Sequence, residues 1–333
     1  MALNRGTGRK LGSWALSILV SGVLLYLALR GVNWSGVWRT IAGARWQYLG
    51  AACAITSGSF FMRAVRWRIL LNAEAHFRIP TVFWANMAGY LGNSFLPARA
   101  GELLRSVLIS RRSSLSTAYV LTTALAERLM DVIALVLWSS LILLTVTPKP
   151  QWMEDLSRTM AIVAGMGAVC VLVLPHAEKL VQAILLRIPM PHGIRTRLQH
   201  LAGQVLLGLR AFHDWGRLAG FVCLTVMIWV ADACGAMVTA HALGLHFTFQ
   251  IAMLLLAGMG LGSALPSTPG YVGVYQFVAV SVLTPFGIPR DGALAYILVV
   301  QALAYVLTLA YGLPGLYLLQ GSASLALVRK VEG

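Results

Sequence analysis

Ionisable side chains cluster at two places in this otherwise hydrophobic sequence. In the stretch ALAERLMDVIAL, Arg128 and Asp131 are three residues apart and Glu127 and Asp131 are four apart, so they share one face of a helix. The stretch PARAGELLR adds three more ionisable residues, which are Arg99, Glu102 and Arg105. Such groups are costly in hydrocarbon and normally face a cavity or each other. They predict either an internal salt bridge, joining Arg128 to Asp131 or to Glu102, or a polar site for a phosphate headgroup or a coupling ion.

A third basic stretch, FFMRAVRWRILL, places Arg63 and Arg66 one helical turn apart, next to Trp67. Arginine beside tryptophan is the ordinary composition of a membrane boundary, so anchoring at the interface is the default interpretation. The alternative is that Arg63 and Arg66 together bind a lipid phosphate through bidentate hydrogen bonds.

Signatures of enzymes and of metal sites are missing from the sequence. It contains no phosphate loop of the GxxxxGK[ST] type and no HExxH motif. The four cysteines all fall in apolar runs without the spacing of metal ligands, and the histidines show no regular metal spacing. We therefore expect no catalytic residue, no metal and no cofactor.

The composition predicts an all-α polytopic integral membrane protein. Only 11% of the 333 residues are charged and 58% are hydrophobic, whereas soluble domains carry roughly 25% charged residues. The apolar runs are continuous and not alternating, which favours helices over a barrel. A net charge of +15 would suggest nucleic acid for a soluble protein. Here the basic residues lie between apolar runs, so we expect membrane lipids as partners and no nucleic acid.

The order of the apolar runs predicts six full spans and two broken or re-entrant elements. The spans are predicted at about 11–30, 47–66, 118–147, 157–175, 218–243 and 292–319, and the broken stretches at about 80–96 and 249–287. With the N-terminus inside, 19 basic residues fall on the inner side and six outside. This bias predicts a bacterial inner membrane protein with both termini in the cytoplasm. The basic connection at about 176–217 is then cytoplasmic, either as amphipathic helices on the leaflet or as a solvated linker.

The two broken stretches resemble each other. Residues 88–101 (AGYLGNSFLPARAG) and 257–270 (AGMGLGSALPSTPG) match at six of 14 positions, at an offset of 169. Three predicted spans separate them, so the second copy would enter from the opposite face, as in inverted-repeat transporters. We therefore predict one transmembrane domain with a first repeat at about 11–147 and a second at about 157–319. Its hinges are predicted at Pro97, Gly101, Pro266, Pro269 and Gly270.

Four segments carry a family resemblance: FMRAVRWRILL, NSFLPARAGELLR, AERLMD and LPSTPGYVGVYQ. In this order they resemble the flippase-like membrane family related to the transmembrane part of bacterial lysylphosphatidylglycerol synthase. The sequence departs from the usual pattern at Tyr271, where the family has a glycine, and at Gln276, where it has an acidic residue. The resemblance adds Asn93, Thr268 and Gln276 to the candidate headgroup site formed by Arg63, Arg66, Arg99, Glu102, Arg105, Glu127, Arg128 and Asp131. Through the segment LPSTPGYVGVYQ it also adds Gly273 to the predicted hinges.

The resemblance implies translocation of a phospholipid or lipid-linked intermediate across the membrane. Arg99, Arg105 and Arg128 would bind an anionic headgroup, and the three carboxylates would orient those arginines or titrate. Because no soluble synthase domain is expected after the last span, the resemblance does not imply aminoacyl transfer to lipid. Two alternatives stay open: a membrane-embedded enzyme or accessory subunit of lipid or glycolipid biosynthesis, such as that of hopanoids, and an interaction scaffold without transport.

Overall fold

The computed structural model describes residues 17–96, 100–145, 214–263, 265 and 267–331, and six isolated positions between 159 and 199. For 143–145 and 320–331 it describes the backbone alone. The predicted span at 157–175 and the connection at 176–217 lie almost wholly outside these residues, as do Pro97, Arg99 and Pro266.

All regular structure in the described residues is helical, as the composition predicted. The helices are α1 (Ser17–Leu29), α2 (Trp34–Ala42), α3 (Trp46–Leu71), α4 (Ile79–Phe95), α5 (Ala100–Ser110), α6 (Thr117–Thr145), α7 (Trp215–Ala242), α8 (Phe249–Gly262), α9 (Val274–Leu283) and α10 (Arg290–Val331). Side-chain oxygens accept backbone N–H groups at the starts of four of them, and these oxygens belong to Asn33 for α2, Ser116 for α6, Asp214 for α7 and Thr248 for α8.

The prediction of six full spans is not confirmed. Of the described helices, α7 and the Arg290–Leu319 part of α10 are long and apolar enough to cross a membrane, and α1 with α2 would give a third despite the 85° bend between them. The described part of helix α6 is not apolar enough to count as a membrane span, because Glu127, Arg128 and Asp131 interrupt its apolar sequence. Helix α3 contains many small and hydroxylic residues and ends among arginines.

Each of the two broken stretches is a pair of helices that pack against each other. Helix α4 ends at Phe95 and α5 begins at Ala100. They approach so closely at Gly89 that a methyl group there would lie 3.1 Å from the carbonyl oxygen of Gly101. Helices α8 and α9 pack in the same manner, because a methyl group at Gly258 would lie 2.9 Å from the side chain of Val278. Gly89 and Gly258 occupy matched positions in the internal repeat.

The chain divides into two compact units whose boundaries fall within α3, α4, α5, α7 and α10. The first unit comprises the described parts of Met1–Ser57, Leu91–Ala100 and Val230–Leu309. The second comprises those of Gly58–Tyr90, Gly101–Trp229 and Ala310–Gly333. The second unit has an apolar core that includes Trp67, Leu70, Val82, Ile109 and Phe221. The predicted repeat boundaries stay a prediction.

Candidate functional site

Arg66 is the most completely engaged charged residue of the second unit. Its side chain is 0% exposed, and all five of its N–H groups have acceptors. They donate to Glu127 Oε1 at 2.9 and 3.3 Å, to the two Asp131 oxygens at 2.6 and 3.0 Å, and to Thr225 Oγ1 at 3.1 Å. The guanidinium also lies over the ring of Phe221. Helix α6 can present both carboxylates to one arginine because Glu127 and Asp131 are one turn apart.

Arg105 is buried in a similar way and is joined to Arg66 through Glu127. Its Nη1 donates to Glu127 Oε2 at 3.1 Å and to Asn86 Oδ1 at 2.6 Å, and its Nε donates to Glu102 Oε2 at 2.7 Å. The guanidinium lies 4.3 Å from the centre of the Trp67 ring. Helix α5 carries Glu102 and Arg105 one turn apart, which explains why these two residues pair.

Arg128 lies at the accessible border of this arrangement, with 35% of its side chain exposed. Its Nε donates to Glu102 Oε1 at 2.9 Å, so the ion pair between Glu102 and Arg128 considered from the sequence is present. The alternative pair with Asp131 is much looser, at 3.9 Å, because Asp131 is engaged by Arg66. The Arg128 guanidinium is 6.0 Å from the centre of the Tyr90 ring.

Arg63 occupies another border position. Its Nη1 is 4.0 Å from Asp131 Oδ2, a distance that gives electrostatic attraction without a hydrogen bond. Its guanidinium lies 5.5 Å from the centre of the Trp229 ring, on α7. Arg63 and Arg66 therefore point to different partners, although they are one turn apart on α3.

We call these seven residues the charge network: Arg63, Arg66, Glu102, Arg105, Glu127, Arg128 and Asp131. The charge network thus contains four arginines and three carboxylates. Two side-chain donors next to it, Asn86 Nδ2 and Trp229 Nε1, are buried without an acceptor among the described residues. The surroundings are therefore rich in donors and suited to a ligand that supplies acceptor oxygens.

A neutral set of side chains holds the turn between α8 and α9 in the first unit. Gln276 accepts a hydrogen bond from Gly273 N at 2.7 Å and donates to Gln301 Oε1 at 2.5 Å. Gln301 in turn donates to the carbonyl oxygen of Gly270 at 3.1 Å. We call these four residues the amide network. Both ends of the Gln276 amide are engaged, and the residue is 3% exposed.

The backbone of this turn is unusual at three neighbouring positions. Gly270 and Gly273 have φ angles of 73° and 87°, which glycine adopts without steric cost. Tyr271 has φ of 60° and is the one residue other than glycine with positive φ in the described part of the chain. Its ring stacks on that of Tyr275 at 4.8 Å. The left-handed conformation explains physically why a glycine suits position 271, where the resemblance expects one.

The remaining candidate residues are placed separately. Thr268 N donates to Ser21 Oγ at 2.9 Å in the first unit, and Pro269 begins a short 3-10 turn. Asn93 is half-buried on α4. Gly101 is helical and buried in α5, whereas its repeat counterpart Gly270 has a positive φ, so the two predicted hinges differ in conformation.

Several residues of both networks were not singled out from the sequence. They are Asn86, Thr225 and Trp229 beside the charge network, and Gln301 in the amide network. The available signal was a polar residue within an apolar helix, which applies to Asn86 in α4 and Gln301 in α10. Among the described residues no group of His, Cys, Asp and Glu side chains could hold a metal ion.

Comparison with known proteins shows the family of this chain. Residues 14–312 match the family described as the lysylphosphatidylglycerol synthase TM region. A UPF0104 membrane protein of Methanothermobacter thermautotrophicus is 20% identical over 312 residues, which cover 87% of this chain and 89% of that protein. The range matched by the family includes α3, α5 and α6. This chain is a helical membrane protein that belongs to the family of the lysylphosphatidylglycerol synthase transmembrane region.

Proposed function

We propose that this chain moves a phospholipid or a lipid-linked intermediate between the leaflets of the membrane, and that the charge network binds the phosphate of the headgroup. The observation that carries the proposal is that Arg128, at the accessible border of the charge network, keeps 35% of its side chain exposed. Ionisable groups in or near hydrocarbon are costly unless they face a cavity or a partner. An anionic headgroup that reaches this border would offer its oxygens to the Arg128 guanidinium.

The arginines of the charge network differ in burial, and we assign them different roles on that basis. All five N–H groups of Arg66 are already bound, and the side chain of Arg105 is 1% exposed. We assign these two residues to holding α3, α5 and α6 together through Glu127. Arg128 is the most exposed arginine of the charge network. It is therefore the arginine that a headgroup reaches first, in competition with Glu102.

The proposed membrane arrangement keeps the six spans and the inverted repeat. Helices α3 and α6 span the bilayer in spite of their charges, because those charges face each other inside the protein. The close packing at Gly89 and at Gly258 supports two equivalent helical hairpins, each re-entering the membrane. The excess of basic residues on one side supports an inner membrane protein with both termini in the cytoplasm.

In this proposal the amide network has a structural role and does not bind the headgroup. Because Gln276 is saturated by Gly273 and Gln301, we assign it to shaping the turn of the second hairpin and not to binding a charged headgroup. Thr268 is likewise held by Ser21. The first hairpin thus supplies charge and the second supplies a fixed backbone.

Transport is tested with purified protein in liposomes that contain fluorescent phosphatidylglycerol, whose outer-leaflet fraction is destroyed by a membrane-impermeant reductant. We expect the protected fraction to fall below that of protein-free liposomes, with no chemical change in the lipid by mass spectrometry. Protection equal to that of empty liposomes would contradict the proposal. A chemically modified lipid would instead support the membrane enzyme of lipid biosynthesis.

A further inference from the structure

We infer that helix α2 lies in the headgroup layer of the membrane and docks on the phosphates of an anionic lipid surface. The inference concerns the first unit and none of the residues of the charge network, so it does not depend on lipid transport. Helix α2 belongs to no span and to no candidate site that the sequence predicted.

The direction of α2 carries the first step. Helix α1 lies within the span predicted at 11–30, and its large exposed side chains are aliphatic at Ile18, Leu19 and Val23. The chain then bends by 85° between α1 and α2. Because α1 enters the membrane, a helix at nearly a right angle to it lies along the membrane surface. Of these two helices, α1 is then the one in hydrocarbon, and α2 marks the boundary.

The two helices that are clearly long and apolar enough to cross a membrane both have an end beside α2. The span within α10 begins at Arg290, whose Nη1 donates to the carbonyl oxygen of Arg30 in the bend, at 2.9 Å. A methyl group at Gly36 would overlap the Asp291 carboxylate, so α2 packs directly on the first turn of α10. Just after α2, Arg45 N donates to the carbonyl oxygen of the last residue of α7. These ends place the membrane boundary at the level of α2.

Helix α2 has three faces with different surroundings. Its buried face contains Val37 and packs on the protein. Trp34 and Trp38 are one turn apart on a second face and are 47% and 64% exposed. Ser35 and Arg39 form a third face, which is polar and exposed. A helix that exposes both an apolar and a polar face suits the boundary between lipid and water, where tryptophan is enriched.

The charge of this surface is complementary to lipid phosphate. Four exposed arginines surround the tryptophans, namely Arg30, Arg39, Arg45 and Arg290. No carboxylate among the described residues forms a salt bridge with any of them. Arg39 Nε donates to the backbone of its own helix, and Arg45 lies against the rings of Tyr48 and His241. They are four of the six basic residues that the predicted topology places outside, where positive charge is otherwise disfavoured.

The occupant that follows is a bilayer surface that contains anionic phospholipid. Arginine binds phosphate oxygens through its planar fork, and a negative lipid surface attracts each arginine near it. A second copy of this chain suits the surface poorly, because a two-fold contact would bring the four arginines against their own copies. A soluble partner would leave unexplained why two spans end beside α2.

The position of α2 is tested with spin labels on single cysteines of the full-length chain in phosphatidylglycerol liposomes. Trp34→Cys labels the apolar face and Ser35→Cys labels the polar face. Leu19→Cys, on α1, is the matched reference for a residue in hydrocarbon. In each variant the four native cysteines are replaced by alanine. Collision with oxygen measures exposure to lipid, and collision with a nickel chelate measures exposure to water.

We expect the label of Trp34→Cys to collide mainly with oxygen and that of Ser35→Cys mainly with the nickel chelate, both at a shallower depth than the label of Leu19→Cys. Opposite preferences at neighbouring positions are expected of a helix that lies flat at the boundary. All three labels at one depth would overturn the inference, because α2 would then be half of a broken span. Full exposure of both α2 labels to water would overturn it in favour of a soluble partner, and dipolar broadening between chains would overturn it in favour of a second copy.

The class of lipid is tested with phosphatidylglycerol and phosphatidylcholine that carry a photoreactive headgroup, with crosslinks to residues 30–46 quantified by mass spectrometry. Arg39→Gln should reduce labelling of this segment by phosphatidylglycerol about fivefold, as for loss of one arginine at an anionic surface. Labelling by phosphatidylcholine should not change. Arg217→Gln is the control, because Arg217 is an exposed arginine of the second unit. Equal labelling by the two lipids in the wild-type chain, or an unchanged pattern in Arg39→Gln, would overturn the assignment of an anionic lipid surface.

Discussion

The two helical hairpins of this protein share a sequence pattern but are stabilised by opposite chemistry. The first hairpin, α4 with α5, is surrounded by buried ions, and Arg105 reaches both Glu102 and Glu127. The second, α8 with α9, is held by uncharged amides, with Gln276 bound to Gln301. A buried ion pair depends on every partner being present, whereas amides satisfy their neighbours without bringing a charge away from water. The comparison shows that two copies of one sequence pattern are stabilised by charged groups in the first hairpin and by uncharged amides in the second.

The largest loss of stability is expected when the central carboxylate of the charge network, Glu127, is removed. Glu127→Gln should leave Arg66 and Arg105 without an ionised partner between them, at a cost of about 3–5 kcal/mol. We expect a large fall in the unfolding temperature, or loss of folded protein on extraction. Glu74→Gln is the control, because Glu74 is an exposed carboxylate of the same unit. Equal stability of both variants would show that the buried ions are not interdependent.

The backbone of the second hairpin should be the next most sensitive feature. A side chain at Gly273 would meet the backbone of Ser21, and φ is 87° there. Gly287 has φ of 81° but open space around it. Gly287→Ala should therefore cost about 1–2 kcal/mol for the left-handed conformation alone. Gly273→Ala should cost clearly more in denaturant unfolding. Equal costs would mean that the close approach to Ser21 is unimportant.

The amide network is tested by Gln301→Leu. This change removes one amide, so Gln276 Nε2 loses its partner and the Gly270 carbonyl oxygen keeps only the Tyr305 hydroxyl at 3.5 Å. We expect a loss of about 1–3 kcal/mol per group left unpaired in the folded state, less than for Glu127→Gln if the groups find water. The measurement is the free energy of unfolding of Gln301→Leu compared with that of the wild-type chain. A loss as large as that of Glu127→Gln would remove the contrast between the hairpins.

The smallest effect is expected at Tyr271. Tyr271→Gly relieves about 1–2 kcal/mol of left-handed strain, but it loses the stacking on Tyr275, worth about 0.5–1.5 kcal/mol. The net change in stability should therefore lie between a loss of about 0.5 and a gain of about 1.5 kcal/mol. A much larger loss would show that the aromatic ring has a role beyond stacking on its neighbour.

The sequence predicted which residues form the charge network better than it predicted which of them pair. Helical spacing placed Glu127 and Asp131 on one face, and that is how they meet Arg66. The same spacing favoured pairing within α6, yet Asp131 binds an arginine 65 residues away on α3. Spacing along one helix describes its faces, but it does not tell which neighbouring helix supplies the partner.

In the second hairpin, too, the sequence predicted a residue of the network but not its partner. Gln276 was recognised from its place in the motif, while Gln301, on α10, was not. The positive φ at Tyr271 was also hidden, because tyrosine gives no local signal for that conformation. Tertiary packing enforces both features. The number of spans was predicted from apolar runs. In α6 the run contains the charged residues of the charge network, so its described part is not apolar enough to count as a span.

The most direct test of the account is the rate of fluorescent phosphatidylglycerol translocation in liposomes that contain Arg128→Gln. Arg128 is partly exposed and pairs mainly with Glu102, so its replacement should leave the unfolding temperature nearly unchanged. Arg217→Gln is the control, since Arg217 is an exposed arginine of the same unit outside the charge network. The account predicts a fall of roughly tenfold or more for Arg128→Gln, as for loss of a charge-assisted hydrogen bond, and no change for Arg217→Gln. Translocation at the wild-type rate by folded Arg128→Gln protein would contradict the claim that the charge network binds the lipid phosphate.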